Sequence, residues 1–510
     1  MNFAKGEQCA ILPRSGGDPL ERQALNLKTI FGLKLRRARD RQGLTLAELA
    51  QRAGMSVSYL AELEAGKKYP RADKILRLAQ ALGCSYDELI SSQLDSDLDA
   101  LQQLLNSPGV RDFPFELFGV PADELLRLLT RSPAEVGALL RALADIAGEY
   151  NIGVEHLLHA ALRSYQEMTG NYYEDIEAAA ERFAREALPR GAPVGQALRD
   201  WVRRHCVEEI DEHELAQRPA LLDFRSVLCP GARPRLLLNP QLNESQRAFA
   251  LAREAGYHVL GLTQRALTTP PDCEDSFEQV LSDFKASYFA GAVLLPRRRL
   301  LPQVRAWLRQ PVWQPSRLLE LLAEYQVSSE TLMYRLSQLL PGEFGVRPYF
   351  MKLQEHHGQL QLTKQLNLTG LPLPSGLSRH EHYCRRWLGS RLLHQLGPGR
   401  ARGPLAGALR AQLVGRDLAL LCLGLAQPQP LRPGANAAFS LWLPADEALR
   451  KVVRFCQDPA LPEVTIGRTC ESCPLTPAEC SERAAPPTRY LERLARVDRQ
   501  RELRELTGRG

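Results

Sequence analysis

The stretch Phe31–Leu89, FGLKLRRARDRQGLTLAELAQRAGMSVSYLAELEAGKKYPRADKILRLAQALGCSYDEL, constrains the fold most. Helix-start and helix-stop signals recur in it at short intervals, and between them apolar residues repeat with helical spacing. Lys28–Arg41 is expected to be a basic first helix. Thr45 can cap a second helix whose Leu46, Leu49 and Ala50 face inward, with Glu48 at the capping-box position. Ala53-Gly54-Met55 makes a tight turn, and Ser56 caps a third helix that runs to about Glu64. Leu60 and Leu63 point to the core, which leaves Val57, Ser58, Tyr59 and Glu62 outward near the helix start, where a recognition helix meets major-groove base edges. Gly66 ends this helix, and Lys67 and Lys68 follow as phosphate contacts. Arg36 and Arg37 on the first helix, with Thr45 and Ser56 at the helix starts, complete the expected DNA-contacting set.

This run resembles the Cro/C1-type (XRE) helix-turn-helix family, including its L-x-x-[LI]-E-x-G-x-x-x-P signature from Leu60 through Pro70. The resemblance implies five helices and binding to double-stranded operator DNA. Leu46 stands where the family usually has Gln.

Charge agrees with that division of labour. Lys28–Leu89 holds twelve Lys/Arg against seven Asp/Glu, so most of the formal net charge of +6 sits there and the rest of the chain is nearly neutral. A basic domain on a neutral body suits an electrostatically anchored DNA binder with a separate sensor. The apolar run Leu418–Ala426 is too short to span a bilayer, and Met1–Leu27 lacks the apolar segment of a secretion signal. A cytoplasmic protein with no membrane partner is expected. Its eleven cysteines then suit thiols or metal ligands better than disulfides.

Asp95–Asp99 forms an acidic hinge, after which helical periodicity runs from Leu101 to about Leu188. Val136, Leu139, Leu140 and Leu143 share one face, as do Leu157, Leu158, Ala161, Leu162 and Tyr165. This region suits coupling or dimerisation. A strand is expected at Arg235–Asn239, a helix at Ser245–Leu262 and another at Phe277–Ala292. The block resembles the IrrE/ImmA-type domain, in which a strand precedes a zinc-binding H-E-x-x-H helix and a later helix supplies a carboxylate. The flanks Gln246–Ala252 and Phe289–Pro296 match. The two histidine positions hold Arg253 and Tyr257, the later carboxylate position holds Lys285, and only the general base survives, as Glu254. A zinc peptidase needs neutral imidazoles to hold its metal, and a cation at a ligand position repels it. No hydrolysis is expected. Gln314–Leu340 carries two short helices, the second capped by Ser328 or Ser329, and is expected to be a packing element.

Beyond Pro341 strands are expected at Tyr349–Leu353, Leu360–Thr363 and Leu418–Leu425, and helices near Tyr383–Gln395 and Ala445–Gln457. Cys470, Cys473 and Cys480 form a C-x2-C-x6-C loop between prolines, enough for three ligands of a tetrahedral site. Cys384 is the foremost fourth candidate, ahead of Cys456 and His382. Spacing does not separate zinc from an iron–sulfur cluster.

The whole layout resembles the short-chain fatty acyl transcriptional regulators (ScfR type), through Cys384-Arg385-Arg386-Trp387 and Ile466–Cys473 together with the two domains above. The resemblance implies control of acetate- or propionate-type metabolism, with an acyl-CoA as effector and a homodimer as the working form. The expected fold is multidomain, mainly α with an α/β C-terminal half. It divides into a tail (1–27), an XRE domain (28–91), a helical coupling region (101–188), a degenerate zincin-like domain (189–340), a mixed α/β sensor domain (341–484) and a charged C-terminal helix (485–510). Two other functions stay open: a metal-dependent protease that cleaves a repressor, and a metal- or redox-sensing regulator whose input is the cysteine loop.

Overall fold

The computed structural model describes residues 19–91, 154–371, 381–397 and 403–507, apart from isolated positions such as Lys67. The expected helical faces between 101 and 153, and residues 1–18 of the tail, lie outside the described residues. The chain divides into two compact units: residues 1–165 with 273–280, and residues 166–272 with 281–510.

In the first unit α1 (Pro19–Arg41), α2 (Leu46–Ala53), α3 (Val57–Glu64), α4 (Ala72–Leu82) and α5 (Tyr86–Ile90) enclose one core of Phe31, Leu35, Leu49, Leu60, Leu63, Ile75, Leu78 and Leu89. The first helix starts nine residues before the expected Lys28, which corrects the tail boundary. Pro19 is suited to a first helical turn, and Leu20, Glu21, Arg22, Gln23 and Ala24 all favour helix. Left-handed Gly54 and Gly83 terminate α2 and α4. Gly32 lets α1 meet the end of α3 closely: a Cβ there would lie 2.5 Å from the Leu63 carbonyl oxygen. Arg39 then clamps the same junction. Its guanidinium donates to both Glu64 carboxylate oxygens at 2.6 and 3.0 Å, and to the Leu44 carbonyl at 2.8 Å.

The helices that follow are α6 (Val154–Met168), α7 (Glu174–Ala187) and α8 (Val194–His205). In the second unit a four-stranded sheet comes next, in the order β1 (Glu209–Asp211), β3 (Arg235–Leu238), β2 (Ser226–Cys229) and β4 (Thr268–Thr269). The β1–β3 pair is parallel and the others antiparallel. Asn243 caps α9 (Glu244–Val259) with a complete capping box, and α8 packs against α9. After α10 (Phe277–Leu294) come α11 (Arg297–Leu308), α12 (Pro315–Tyr325) and α13 (Ser329–Phe344). Ser328, not Ser329, caps α13, its hydroxyl accepting from the Thr331 N–H. A buried ion pair ties α13 to α7: Arg335 donates to both oxygens of Glu177 at 2.6 and 2.8 Å.

The C-terminal half is built on a six-stranded sheet, ordered β10 (Glu463–Ile466), β7 (Leu405–Leu413), β8 (Ala419–Pro428), β9 (Asn436–Pro444), β5 (Tyr349–His356) and β6 (Gln359–Asn367). Only β10–β7 is parallel. One face buries α14 (Leu388–Leu396) against Tyr349, Met351, Leu353, Cys422 and Trp442. Gly407 and Gly424 allow that approach, since a Cβ at either would come within 3.0–3.1 Å of Leu392 or Leu388. The alternate residues Phe350 and Lys352 face α13. Two expected helices are shorter than anticipated. Tyr383–Trp387 is not helical, because Tyr383 bridges to Thr469 and the Cys384 N–H donates to the Arg468 carbonyl. The segment expected at Ala445–Gln457 divides into α15 (Glu447–Val452) and a 3-10 turn at Arg454–Gln457. The chain ends in α16 (Thr488–Thr507), which buries none of its residues. Among the described residues no helix is long and apolar enough to cross a membrane.

Candidate functional site

Three of the sequence-derived features have described geometry. The first is the helix-turn-helix surface. Thr45 accepts from the Glu48 N–H at 3.2 Å while Glu48 accepts from the Thr45 N–H at 2.7 Å, so the start of α2 is fixed. The Thr45 N–H, and after it the Thr45 hydroxyl at 2.8 Å, donate to the Glu48 carboxyl and hold it below its ordinary range. Ser56 accepts from the Tyr59 N–H at 3.3 Å and sets the start of α3. Val57, 47% exposed, and the exposed Ser58 stand on the first turn of that helix. Tyr59 is only half exposed: it packs on the helical core, with the Lys74 ammonium 4.1 Å from its ring centre. Glu62 pairs with Lys68 at 2.7 Å. Arg36 lies 3.9 Å from Asp40, Arg37 is partly buried, and Lys67 falls outside the described residues. Lys74 was not among the expected contact residues, because its approach to Tyr59 depends on how α4 packs.

The second feature is the cluster around Arg253, Glu254 and Tyr257 on α9. Arg253 is 3% exposed and Tyr257 is buried. The Arg253 guanidinium donates to Asp283 on α10, to the Tyr257 hydroxyl at 3.0 Å and to the Thr269 hydroxyl. Tyr257 also donates to Asp283, at 2.6 Å. Burial drives the Arg253 pKa down, opposed by Tyr257 and Glu254. The carboxylate of this centre is therefore Asp283, two residues before Lys285, the position matched to the family's carboxylate ligand. Glu254, the surviving general base, is held by both Arg265 nitrogens at 2.8 and 2.7 Å, and that guanidinium lies 3.9 Å from the Tyr257 ring centre. Asp283 and the Tyr257 hydroxyl thus accept from Arg253, and both Glu254 oxygens accept from Arg265.

The third feature is the cysteine loop. Cys384, Cys470, Cys473 and Cys480 are each under 8% exposed and line one small pocket, with Arg385, Arg386 and Arg483 around it. The Gly467 N–H donates to the Cys384 sulfur at 3.4 Å and the Ala484 N–H to the Cys470 sulfur at 3.3 Å. Arg483 braces the loop through the carbonyls of Cys470, at 2.7 Å, and Cys473, at 3.3 Å. Burial pushes the Cys384 thiol up to about 12. Among the described residues no three His, Cys, Asp or Glu side chains stand in a closed metal-ligand arrangement. The four thiols nonetheless border one pocket, and Cys456 and His382 are not among its lining residues. His382 instead pairs with Glu471 at 2.7 Å.

Comparison with known proteins identifies the class first. A helix-turn-helix family model matches residues 35–89, and the IrrE N-terminal-like domain model matches residues 210–337. The chain is a helix-turn-helix DNA-binding regulator with an IrrE-like middle domain. It is 28% identical, over 93% of its length and 97% of the relative's, to the Propionyl-CoA carboxylase regulator of Cereibacter sphaeroides. It is 26% identical, over 68% of its length and 73% of the relative's, to the HTH-type transcriptional regulator RamB of Mycobacterium tuberculosis. A solved Mycobacterium tuberculosis transcriptional regulator aligns with 64% of this chain and 94% of its own, at 21% identity and a TM-score of 0.45. The layout is similar to that of the ScfR-type short-chain fatty acyl regulators.

Proposed function

We propose that this protein controls genes of short-chain fatty acyl metabolism as a homodimer on operator DNA, with a short-chain acyl-CoA read by the C-terminal half. The observation that carries this reading is the similarity across 93% of the chain to a protein named Propionyl-CoA carboxylase regulator. The middle domain serves structure and not hydrolysis. This reading is supported by Arg253, which pairs with Asp283 where the family's first histidine would stand, and by Arg265, which holds both oxygens of Glu254.

We propose further that the cysteine pocket, which all four thiols border, holds a tetrathiolate centre. Cys384, Cys470, Cys473 and Cys480 would hold a zinc ion or an iron–sulfur cluster, and the two N–H donors to sulfur suit bound thiolates. Such a centre is net negative, which the three arginines around the pocket complement. Bound there, the group would supply cross-linking energy to a loop with little core of its own.

The test is footprinting of the full chain on DNA upstream of acyl-CoA carboxylase genes, repeated with propionyl-CoA and acetyl-CoA. A discrete protected site whose occupancy changes with one of the thioesters is expected. Protection that ignores both thioesters would overturn the proposed effector, and binding without sequence preference would overturn the regulator reading.

A further inference from the structure

A helix in a folded protein gains most of its stability by packing one face, yet α16 (Thr488–Thr507) buries none of its residues. Its ties to the body lie in its first turn, where the Tyr490 N–H donates to the Glu471 carbonyl at 3.0 Å and Arg489 pairs with Glu381 at 3.0 Å. Beyond that turn its charges are sorted by side. At 3.6 residues per turn Arg489, Arg493, Arg496, Gln500, Arg504 and Thr507 line one ridge, a sector about 80° wide. Asp498, Glu502 and Glu505 lie on the opposite side, and Glu492 at the margin. Every side chain on the ridge can donate a hydrogen bond and none is an anion. Away from the ridge, Arg501 pairs with Asp498. Among the described residues Arg493, Arg496 and Arg504 have no carboxylate within ion-pair distance, and all three are exposed.

The apolar residues form no such line. Leu491, Leu494 and Val497 face one way, and Leu503 and Leu506 lie about 150° further round. No continuous apolar seam therefore runs along α16 for a second helix or a lipid surface. What runs its length is the row of cations. From Arg489 to Arg504 that row covers about 22 Å at 1.5 Å per residue, about six steps of 3.4 Å along one DNA strand. Guanidinium groups match phosphate oxygens in geometry and charge, and the chain is a helix-turn-helix DNA-binding regulator. We propose that the Arg493, Arg496 and Arg504 face of α16 is a second DNA contact, made to backbone phosphates, that adds affinity without reading sequence.

Fluorescence anisotropy of the full chain on a short mixed-sequence duplex, over a series of salt concentrations, tests this contact. Arg493→Gln with Arg496→Gln should weaken binding about tenfold or more at low salt and reduce the salt slope by about 2, at about 0.9 per lost phosphate contact. Arg499→Gln with Arg501→Gln removes the same charge from outside the ridge and should have less than about half that effect. Arg493→Lys with Arg496→Lys should stay within a few-fold of wild type. Circular dichroism and sedimentation of the ridge variant should match wild type. An unchanged salt slope in the ridge variant, or equal loss from the two Gln pairs, would overturn the contact. Sedimentation of the ridge variant at half the wild-type mass would overturn it in favour of a second copy of the chain as the partner.

Discussion

Replacing Asp283 by Asn tests whether Arg253 is the structural substitute for a metal ion. Arg253 is 3% exposed, so removing its anionic partner leaves a nearly dry guanidinium facing only the hydroxyls of Tyr257 and Thr269. Breaking a buried ion pair in this way costs about 3–5 kcal/mol. Asp283 is itself 20% exposed, and the Asn amide can still accept one hydrogen bond, so the lower end applies, about 3 kcal/mol. For a body of this size each kcal/mol lowers the melting temperature by roughly 2–4 °C, which gives a shift of roughly 6–12 °C. Near-ultraviolet circular dichroism of the full chain during heating would follow the loss of packing. The pair replacement Arg253→Leu with Asp283→Leu should recover most of the loss, because no charge is then stranded. A melting temperature within about 2 °C of wild type in Asp283→Asn would refute the argument, since it would mean that Arg253 is neutralised elsewhere.

Val57→Ala or Ser58→Ala should change operator preference by about 1–3 kcal/mol per lost base contact, whereas Lys68→Ala should weaken all DNA alike and flatten the salt dependence; competition footprinting at several salt concentrations separates the two. Anaerobically purified protein should contain bound zinc or show the visible absorption of an iron–sulfur cluster. Cys473→Ser and Cys384→Ser should remove that signal, with Cys84→Ser as the silent control, and an unchanged metal content in Cys473→Ser would show that the pocket is not the binding site. Burial pushes the Glu330 carboxyl up, but the Lys352 ammonium 2.8 Å away draws it down to about 2 from an ordinary 4.5, so its contribution to stability is present above pH 4.5 and is lost as pH falls toward 2. Glu330→Gln should flatten that acid limb in urea titrations, and an acid limb identical to wild type would contradict the assignment.

The helix-turn-helix unit was legible because its signals are local. Thr45, Ser56, Gly54 and Gly83 each act within a few residues, and the structure places α2 through α5 where such caps require. Strands β7, β9 and β10 were missed. Leu405–Leu413 is rich in Ala and Leu, which favour helix, and Asn436–Pro444 is buried on both faces and so shows no alternation. Trp387 was expected within a helix, but the bridge between Tyr383 and Thr469, 86 residues apart, keeps the preceding segment extended. Asp283 was passed over for the same kind of reason: only the packing of α10 against α9 brings it to Arg253.

The guanidinium at the heart of the IrrE-like domain makes that domain indifferent to its surroundings in one particular respect. A bound ion stabilises a fold by mass action, so its contribution rises and falls with the free concentration of the ion and with any chelator that competes for it. Arg253 is attached through its own backbone and is present at one copy per chain in every medium. Chelators or an excess of divalent metal are therefore expected to leave the Arg253–Asp283 pair intact, since neither partner is exchanged with the medium.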